Sequence, residues 1–448
     1  MNLRLNILFI FIFILIELQL SGQMKVSGFV KDKQSGELLI GANIIEEGTL
    51  NGTITDNYGH FSIRVDTPCI IIISFVGFNS QTISLTRYTD TLINVLLEPS
   101  GNLDPVIIKA NRKNHFNTIN LSKKDLLLMP SLGGKPDIMR SLQTMPGIQS
   151  QNEASSRILV RGGDPGQNLY LLDNVPLIYV HHMGGFSSVF NPEAINNIEV
   201  YKSGFPARYG GKLSSVIDVT QREGDKSIRK GSLSMGLTDL SFTVEGPLFK
   251  NTSFIITGRK TLTDFLMAGY SYFSKANDFI VSYGFHDINS KLSWRPDMKN
   301  TFYLNLYQGD DYLNYWNYNK KDDQESKSRL TNIWGNWMVS ARWNHLKSSR
   351  MFITNNLSFI NYRLKDKKVI VLKEFSKNYY FNSEYLSAVR NVLYQLDFKY
   401  LLFKDWSLQT GLQSMFLMYI PNQTKQSNYN QQKVSNLSSG IETALYLD

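Results

Sequence analysis

The second half of the sequence, from about Lys230 onward, alternates apolar and polar residues with a period of two. In residues 332–344, one face carries Ile333, Trp337, Val339, Ala341 and Trp343, and the other carries Asn336, Ser340, Arg342 and Asn344. Residues 391–403 repeat the pattern, with Val392, Tyr394, Leu396, Phe398 and Tyr400 on one face. Such alternation over ~10-residue strands is typical of a membrane β-barrel. A soluble β-sandwich is the alternative, but the second face is strongly charged and residues 314–332 are predicted to form a long polar loop.

The N-terminus predicts export. Arg4 precedes an apolar core from Ile7 to Ile16, and the small residues Ser21 and Gly22 follow. This layout predicts a signal peptide over residues 1–22 rather than a membrane anchor. No later stretch reaches ~18 consecutive apolar residues, so we expect any membrane form to be a β-barrel. The 23 Tyr and 26 Phe suit strands and membrane-interface belts.

Several function classes are disfavoured. A single cysteine, Cys69, excludes an internal disulfide framework and is expected to be a buried small hydrophobe. The net charge of +9 comes from Lys and Arg scattered over the second half, which argues against nucleic-acid binding. The six histidines form no HExxH motif, and no GxSxG or paired-carboxylate signature appears. We therefore expect no catalytic residue, metal or cofactor, and we expect His60 to be an ordinary surface residue.

Residues 24–99 consist of short apolar segments separated by Gly, Asn and Asp turns, which predicts a small β-sandwich. This stretch resembles the carboxypeptidase-regulatory-like, transthyretin-like domain. The matching positions are Gly28-x-Val30-x-Asp32, Gly36-Glu37, Gly41-Ala42, Gly48-Thr49, Gly52-Thr53-x-Thr55-Asp56, Gly59-x-Phe61-Ser62 and Val76-Gly77-Phe78.

Residues 122–228 are expected to form a third region. A helix is predicted to begin at Pro136 or Asp137 and to stop at Pro146-Gly147. Strand-like runs follow, and the turn after Arg161-Gly162-Gly163 predicts a hairpin between residues 158–160 and 169–172. A strand follows these glycines, whereas a dinucleotide fingerprint needs a helix there, and no Gly-Lys-Ser/Thr phosphate loop is present.

This third region resembles the plug domain of TonB-dependent outer-membrane receptors. The resemblance rests on Ile158-x-Val160-Arg161-Gly162, Leu171-Leu172-Asp173-x-Val175-Pro176, Ile195-x-x-Ile198-Glu199-Val200-x-Lys202-x-Gly204 and Ala207-Arg208-Tyr209-Gly210-Gly211, followed by Val216-Ile217-Asp218-Val219. The resemblance implies that Arg161, Gly162, Asp173, Glu199, Lys202, Gly204, Arg208, Tyr209 and Gly210 form the structural motif of the plug. We expect Arg161 and Asp173 to make buried polar contacts with the barrel wall.

The linker, residues 100–121, contains the segment Asp104–Ala110, an acidic residue followed by β-branched residues. It is either an edge strand or a detachable strand that pairs with another protein's sheet edge. Given the plug resemblance, it looks like a TonB box, with Asp104, Pro105, Val106, Ile107 and Ile108 as the residues that contact TonB. Pro105 departs from the family's usual second residue.

Residues 229–448 are expected to form the N-terminal part of a transmembrane β-barrel. Receptors of this class close about 22 strands around the plug. At ~20 residues per strand and connection, about ten strands fit here. Because the sequence ends within an apparent strand, at "ETALYLD", we expect an incomplete barrel. The predicted fold class is therefore mostly β: a signal peptide, a small sandwich, an α+β plug and a partial barrel.

The resemblance implies a receptor in the outer membrane of a Gram-negative bacterium, with its N-terminal domain in the periplasm. It would take up a siderophore, cofactor, glycan or peptide, with energy transduced by TonB and its inner-membrane complex. Outer-membrane lipid and a surface lipoprotein are further implied partners, and nucleic acid is not. His181 and His182 lie in an expected polar loop and are weak candidates for substrate contact. A surface adhesion or signalling protein, or a non-functional receptor fragment, remain alternatives.

Overall fold

The computed structural model describes residues 23–86, 90–100, 118–129, 135–152, 155–273, 279–321, 324–374, 377–403, 406–426, 431–434 and 437–448. The expected signal peptide and the segment Asp104–Ala110 lie outside these residues. The chain divides into two compact units. The first contains residues 1–113, 346–352 and 399–408, and the second contains residues 114–345, 353–398 and 409–448.

The N-terminal part of the first unit is a sandwich of two sheets. Its strands are β1 (Gln23–Asp32), β2 (Asn43–Glu46), β3 (Gly52–Ile54), β4 (His60–Asp66), β5 (Cys69–Ser74), β6 (Gln81–Leu85) and β7 (Thr91–Leu97). One sheet has the order β4-β1-β7 and the other β3-β2-β5-β6. Alternate residues of both sheets, among them Val26, Ile44, Phe61 and Ile73, form the buried core between them. This arrangement confirms the predicted sandwich.

Two expectations about single residues of the sandwich need correction. His60 is 3% exposed, so the prediction of a surface residue is wrong. Its ring stacks on Phe352 of the same unit, with centroids 4.7 Å apart, and burial lowers its pKa although Asp56 opposes the shift. Cys69 begins β5 and is only partly buried against the core, because it lies at the strand end.

The second unit contains a central domain, which we define as residues 118–229. Its strands are β8 (Thr118–Ser122), β9 (Ile148–Ser150), β10 (Ile158–Val160), β11 (Asn168–Leu172), β12 (Val175–Pro176), β13 (His181–His182), β14 (Ser187–Ser188), β15 (Ile195–Tyr201) and β16 (Ser215–Gln221). Its α-helices are α1 (Lys123–Leu127) and α2 (Ile138–Gln143). Five strands form one sheet in the order β12-β11-β16-β15-β8, in which β11 and β16 run parallel.

The helix predicted after Pro136 is present as α2. Asp137 is its N-cap and accepts a hydrogen bond from the backbone N–H of Arg140, which satisfies a donor that the first turn leaves free. The predicted hairpin is wrong. β10 pairs with β9, whereas β11 pairs with β12 and β16. Residues 165–167 form a 3₁₀ turn capped by Asp164, which separates the two strands and sends them to different sheets.

The remainder of the second unit contributes to one large antiparallel sheet. Its strands are β17 (Lys230–Met235), β18 (Asp239–Phe249), β19 (Thr252–Thr261), β20 (Phe279–Trp294), β21 (Asn300–Lys321), β22 (Gln324–Ser348), β23 (Met351–Glu374), β24 (Lys377–Phe403), β25 (Trp406–Gln426), β26 (Gln431–Val434) and β27 (Ser438–Leu447). They follow chain order from β17 to β26, and β27 also pairs with β25. Among the described residues the sheet has 11 strands, close to the expected number of about ten.

The predicted alternation is confirmed in the large sheet. Arg342 is 5% exposed and its neighbour Trp343 is 38% exposed. Leu393 is fully buried, while Val392 and Tyr394 on either side are exposed. One face of the sheet therefore lies against the central domain and the other is open. No helix among the described residues is long and apolar enough to cross a membrane.

Two features of this sheet differ from the sequence expectations. Residues 314–332 do not form a long loop, because β21 and β22 continue their pairing from Asn314↔Thr331 to Lys321↔Gln324. Tyr318 and Glu325 are hydrogen-bonded across this extension at 2.6 Å. A helix that the strand pattern did not predict, α3 (Thr263–Phe273), lies between β19 and β20.

Gly224, in the connection between β16 and β17, tests how tightly this connection is held. Its φ of +82° favours glycine, and an added Cβ would lie 2.3 Å from the carbonyl oxygen of Phe254. We expect Gly224→Ala to lower the free energy of unfolding by at least about 1–2 kcal/mol, the cost of the left-handed backbone alone. Urea unfolding measures this. Gly210→Ala is the control, since its Cβ would meet nothing within 4 Å, and equal effects of both variants would contradict the prediction.

Candidate functional site

The candidate site is the interface between the central domain and the inner face of the large sheet. Charged side chains of both partners meet here, and most of them are buried. Buried charges are costly unless they are paired, so each of these side chains needs a partner of opposite charge within the interface.

Asp173 is positioned by a tight turn between β11 and β12. Asp173 and Asn174 have φ values of 50° and 68°, as a two-residue hairpin turn requires. The Nζ of Lys291 on β20 donates to both carboxylate oxygens of Asp173, at 3.0 and 3.1 Å. Lys291 also donates to the Gln221 carbonyl at 3.0 Å. The Asp173 and Lys291 side chains are 0% and 1% exposed, so water does not screen the pair.

Two further ion pairs follow β16. The Arg295 guanidinium donates to both oxygens of Glu223, at 2.6 and 2.7 Å, and the Tyr303 hydroxyl donates to the same carboxylate. Burial raises the pKa of Glu223, but Arg295 and other nearby cations outweigh burial and hold it well below its usual range. In the second pair the cation belongs to the central domain and the carboxylate to the sheet: Arg222 donates to both oxygens of Glu245 on β18, at 2.8 and 2.7 Å.

His182 joins β13 to the large sheet through two carboxylates. Its Nδ1 lies 2.7 Å from Asp311 Oδ2, and its Nε2 lies 3.2 Å from Asp287 Oδ2. The ring stacks on Phe285 at 4.2 Å. Burial lowers the pKa of His182, but its contacts with the two carboxylates outweigh burial, so the pKa is raised. Asp287 is also bound by Arg259, at 2.6 Å, which donates to the Ser188 carbonyl of the central domain.

A fifth polar contact lies beside α2. The Nζ of Lys135 donates to Asp239 Oδ1 at 2.6 Å and to Ser241 Oγ at 2.8 Å, both on β18. The other side of the interface is apolar. There, side chains of the large sheet complete the central domain's core: Tyr307, Met338, Ile360 and Leu393.

The polar half of this interface has a chemical consequence. Removing one partner of a buried ion pair is strongly destabilising, but a pair is on average no more stabilising than an apolar contact of similar volume. When such an interface opens, water can solvate the charges. This half of the interface can thus hold one defined position while closed, and its charges gain hydration when it opens.

Arg161 does not behave as expected. Its side chain is exposed and donates to Ser203 within the central domain, so the prediction that it makes a buried contact with the wall is wrong. Its φ of 50° and that of 77° at Gly162 direct the chain through the turn, which points Arg161 outward. Asp173 does make the expected contact, through Lys291.

The remaining motif residues lie around the five-stranded sheet. The Tyr209 hydroxyl donates to Asp218 at 2.8 Å, the Arg208 guanidinium lies 4.5 Å over the Tyr209 ring, and Glu199 is opposite Asp218 in register. Burial raises the pKa of Asp218 to about 6, with Arg208 opposing it. Outside this cluster, Lys202 donates to the Pro146 carbonyl, Gly204 has φ +60°, and Gly210 is open.

The expectation of a polar loop at His181-His182 is wrong. Both residues lie in β13 and are 5% and 1% exposed. His181 Nδ1 is 3.1 Å from Ser156 Oγ, and burial lowers its pKa to about 4. A substrate contact at either histidine stays a prediction that this buried arrangement does not favour. Within the described residues, no group of three or more His, Cys, Asp or Glu could hold a metal ion.

Sequence reasoning missed the sheet partners of the central domain: Asp287, Lys291, Arg295 and Asp311. The signal was available in part, because these charges fall on the polar face of alternating strands. Their pairing was not available, since it depends on how the central domain is oriented inside the sheet.

Two family models match the chain. The "CarboxypepD_reg-like domain" matches residues 26–108, and the "TonB-dependent Receptor Plug Domain" matches residues 130–216. The second match contains β13 and all nine of the expected motif residues, Asp173 among them.

Curated relatives include the TonB-dependent receptor SusC of Bacteroides thetaiotaomicron, which is 27% identical over 218 residues. That match covers 45% of this chain and 21% of the relative. The TonB-dependent receptor P26 of Formosa agariphila is 28% identical over 218 residues, which cover 44% of this chain and 21% of that protein. The chain thus matches about a fifth of the length of these relatives.

Solved structures similar to this chain include the ferric citrate transporter FecA in its unliganded form, at 11% identity and a TM-score of 0.46. That match covers 74% of this chain and 59% of FecA. The ferric yersiniabactin uptake receptor FyuA of Yersinia pestis matches at 12% identity and a TM-score of 0.40, over 74% of this chain and 61% of FyuA.

Asp173→Ala tests the buried pairs. The variant leaves Lys291 charged and buried, so we expect the free energy of unfolding to fall by about 3–5 kcal/mol. Urea unfolding of the purified chain measures this. Adding Lys291→Leu should restore much of the loss, because the second charge is then gone. Lys365→Ala breaks a half-exposed pair with Glu384 and should cost at most about 1 kcal/mol. If Asp173→Ala costs no more than Lys365→Ala, the pair does not hold the interface.

His182→Gln tests the pH dependence of the interface. Because the folded-state pKa of His182 lies above the ordinary 6.5, its charge contributes stability that is complete below pH 6.5 and is lost as pH rises through the folded-state pKa. The difference in unfolding free energy between wild type and His182→Gln should therefore shrink as pH rises above 6.5.

His181→Gln is the matched control for this measurement. The pKa of His181 is lowered to about 4, so the stability it contributes is lost as pH falls from 6.5 toward 4. The two variants should therefore show opposite pH slopes in unfolding experiments from pH 4 to 9. Equal slopes, or a His182 effect that grows with pH, would contradict the assignment.

Proposed function

We propose that the chain, whose N-terminal and central domains match the carboxypeptidase-regulatory-like and plug models and which is similar to TonB-dependent receptors, belongs to an energised importer in the outer membrane of a Gram-negative bacterium. The central domain is the plug, and the large sheet is part of the barrel wall around it. The substrate is a nutrient: a siderophore, a cofactor, a glycan or a peptide. The work is binding and movement, because this is a receptor family and not an enzyme family.

The observation that carries this proposal is the paired polar interface between plug and wall. A domain that only stabilised the barrel would need no buried charges, since apolar contacts of similar volume serve as well. Ion pairs such as Asp173–Lys291 and Glu223–Arg295 instead hold one defined position and can be hydrated when the plug moves. A plug that must be displaced and then return needs both properties.

The open face of the sheet supports a location in the membrane. At one end, the rings of Trp294, Phe302 and Trp343 stack with centroid distances of 5.1 and 6.1 Å. We place the other edge of the band at the middle of β20, where the His286 ring lies 6.4 Å from the Tyr312 ring. From Trp294 to His286 is about eight residue steps, roughly 27 Å along the strand. At a tilt of ~40° this gives an apolar band about 20 Å high, close to that of outer-membrane barrels.

TonB would supply the energy by pairing with the segment Asp104–Ala110, which lies outside the described residues. Main-chain hydrogen bonds of an added strand would transmit the pull. The sandwich would lie in the periplasm, since its unit includes residues 346–352 at a short strand turn, and short turns face the periplasm in such barrels. A surface lipoprotein would be a further partner, on the extracellular side.

Ile107→Pro tests the TonB segment. Proline removes a backbone donor and breaks strand pairing, so we expect energised uptake to fall at least tenfold while outer-membrane abundance stays unchanged. Growth on, or accumulation of, a panel of labelled iron chelates, glycans and peptides measures uptake in cells that carry the gene. Pro105→Thr, which removes the proline already present, should maintain or increase uptake.

Asn114→Pro is the matched control, because it introduces proline in the same linker beyond the segment. Uptake that survives Ile107→Pro, or that is lost equally in Asn114→Pro, would remove the segment as the TonB contact. A substrate that is bound but never accumulated by the wild-type protein would favour the surface adhesion or signalling alternative.

A further inference from the structure

Helix α3 exposes apolar and aromatic side chains that neither the import proposal nor the fold explains. Phe265, Leu266, Tyr270 and Phe273 are 65%, 64%, 76% and 83% exposed. At about 3.6 residues per turn they fall on one broad side of the helix. Contiguous apolar surface of this kind is rare on a face that only meets water, and it marks an interaction site.

The start of α3 is fixed to the outer face of the large sheet. Asp264 accepts hydrogen bonds from Lys260 Nζ at 2.7 Å and from the Tyr312 hydroxyl at 2.6 Å. Along β19 and β21, the neighbours of these two residues, Arg259 and Asp311, face the plug. Since successive side chains of a strand point to opposite faces, Lys260 and Tyr312 lie on the side away from the plug. α3 therefore begins on the side that faces the membrane.

The level of α3 coincides with one edge of the apolar band. Lys260 pairs in register with His286, the residue at which the band ends on β20. α3 begins at Thr263, three residues after Lys260, and the Thr263 hydroxyl donates to the Tyr283 carbonyl at 2.8 Å. The exposed side chains of α3 thus continue the apolar outer face at the height where hydrocarbon gives way to water.

We propose that α3 is an interfacial helix, with Phe265, Leu266, Tyr270 and Phe273 inserted at the headgroup–acyl boundary of the outer-membrane lipid. Aromatic side chains are enriched at this boundary, and apolar helix faces bind there by burying area among the lipids. Lipid is favoured over a protein partner by position, because the helix is continuous with the lipid-facing band. It is also favoured by charge: the helix sequence contains no Lys, Arg or Glu, and its one Asp, Asp264, is already engaged by Lys260. The inference rests on the proposed membrane location and not on import.

The test measures the depth of labelled side chains in the full-length chain. Tyr270→Cys and Phe273→Cys are each made in a Cys69→Ser background, labelled with an environment-sensitive fluorophore, and reconstituted in phosphatidylcholine vesicles. The vesicles carry nitroxide quenchers either on the headgroup or deep in the acyl chain. Leu306→Cys, on the outer face of β21, is the membrane control, and Leu50→Cys, 66% exposed in the sandwich, is the water control.

We expect both helix labels to emit at shorter wavelength than the Leu50 label and to be quenched at least twofold more by headgroup nitroxide than by deep nitroxide. The Leu306 label should show the reverse order. Helix labels that emit like the Leu50 label overturn the proposal, and so do labels shielded from aqueous iodide but unquenched by either lipid, which would indicate a protein partner. An unquenched Leu306 label overturns the membrane location together with the proposal. If the wild-type protein supports no uptake but the labels are quenched as expected, the import proposal is contradicted and the helix proposal stands.

Discussion

The ion pair between Asp173 and Lys291 is the contact on which the rest of the plug–wall arrangement depends. It forms at the turn between β11 and the edge strand β12 of the five-stranded sheet, and both side chains are removed from water. The plug can shift little while this pair stays buried, because separating the two charges weakens their attraction and no water is present to solvate them instead. The position of the plug is thereby specified by charge, and the pairs at Glu223 and His182 extend the same specification along the sheet.

Positioning the plug by charge requires a wall whose inner face is polar and whose outer face is apolar. Period-two geometry supplies them without any additional structure, since consecutive residues such as Arg342 and Trp343 point to opposite sides. The inner face carries charges that the plug neutralises, and the outer face carries side chains suited to lipid. The contacts with the plug and the apolar outer face are therefore encoded by alternate residues of the same strands, so a substitution at one position affects only one of the two faces.

The two-faced wall could be predicted from sequence because alternation is a local property. The α2 helix was predictable for the same reason, since Asp137 caps it within one turn. The partners of Asp173 and His182 could not be predicted, because they lie more than 100 residues away and depend on packing. His60 was misplaced for the same reason, because Phe352, which covers its ring, is still more distant in the sequence. The prediction of a hairpin at Gly162 was wrong because turn residues indicate that the chain reverses but do not determine which strands pair.

The strands β21 to β24 contain 22, 25, 24 and 27 residues, more than twice the length that crosses a membrane. The part of each strand beyond that length, here called the collar, stays paired with its neighbours, so this edge of the sheet consists of hydrogen-bonded strands instead of long loops. Inserting one residue anywhere in the collar would exchange inward and outward side chains beyond that point. Gains or losses of two residues at a time would instead keep every side chain beyond that point on its own face.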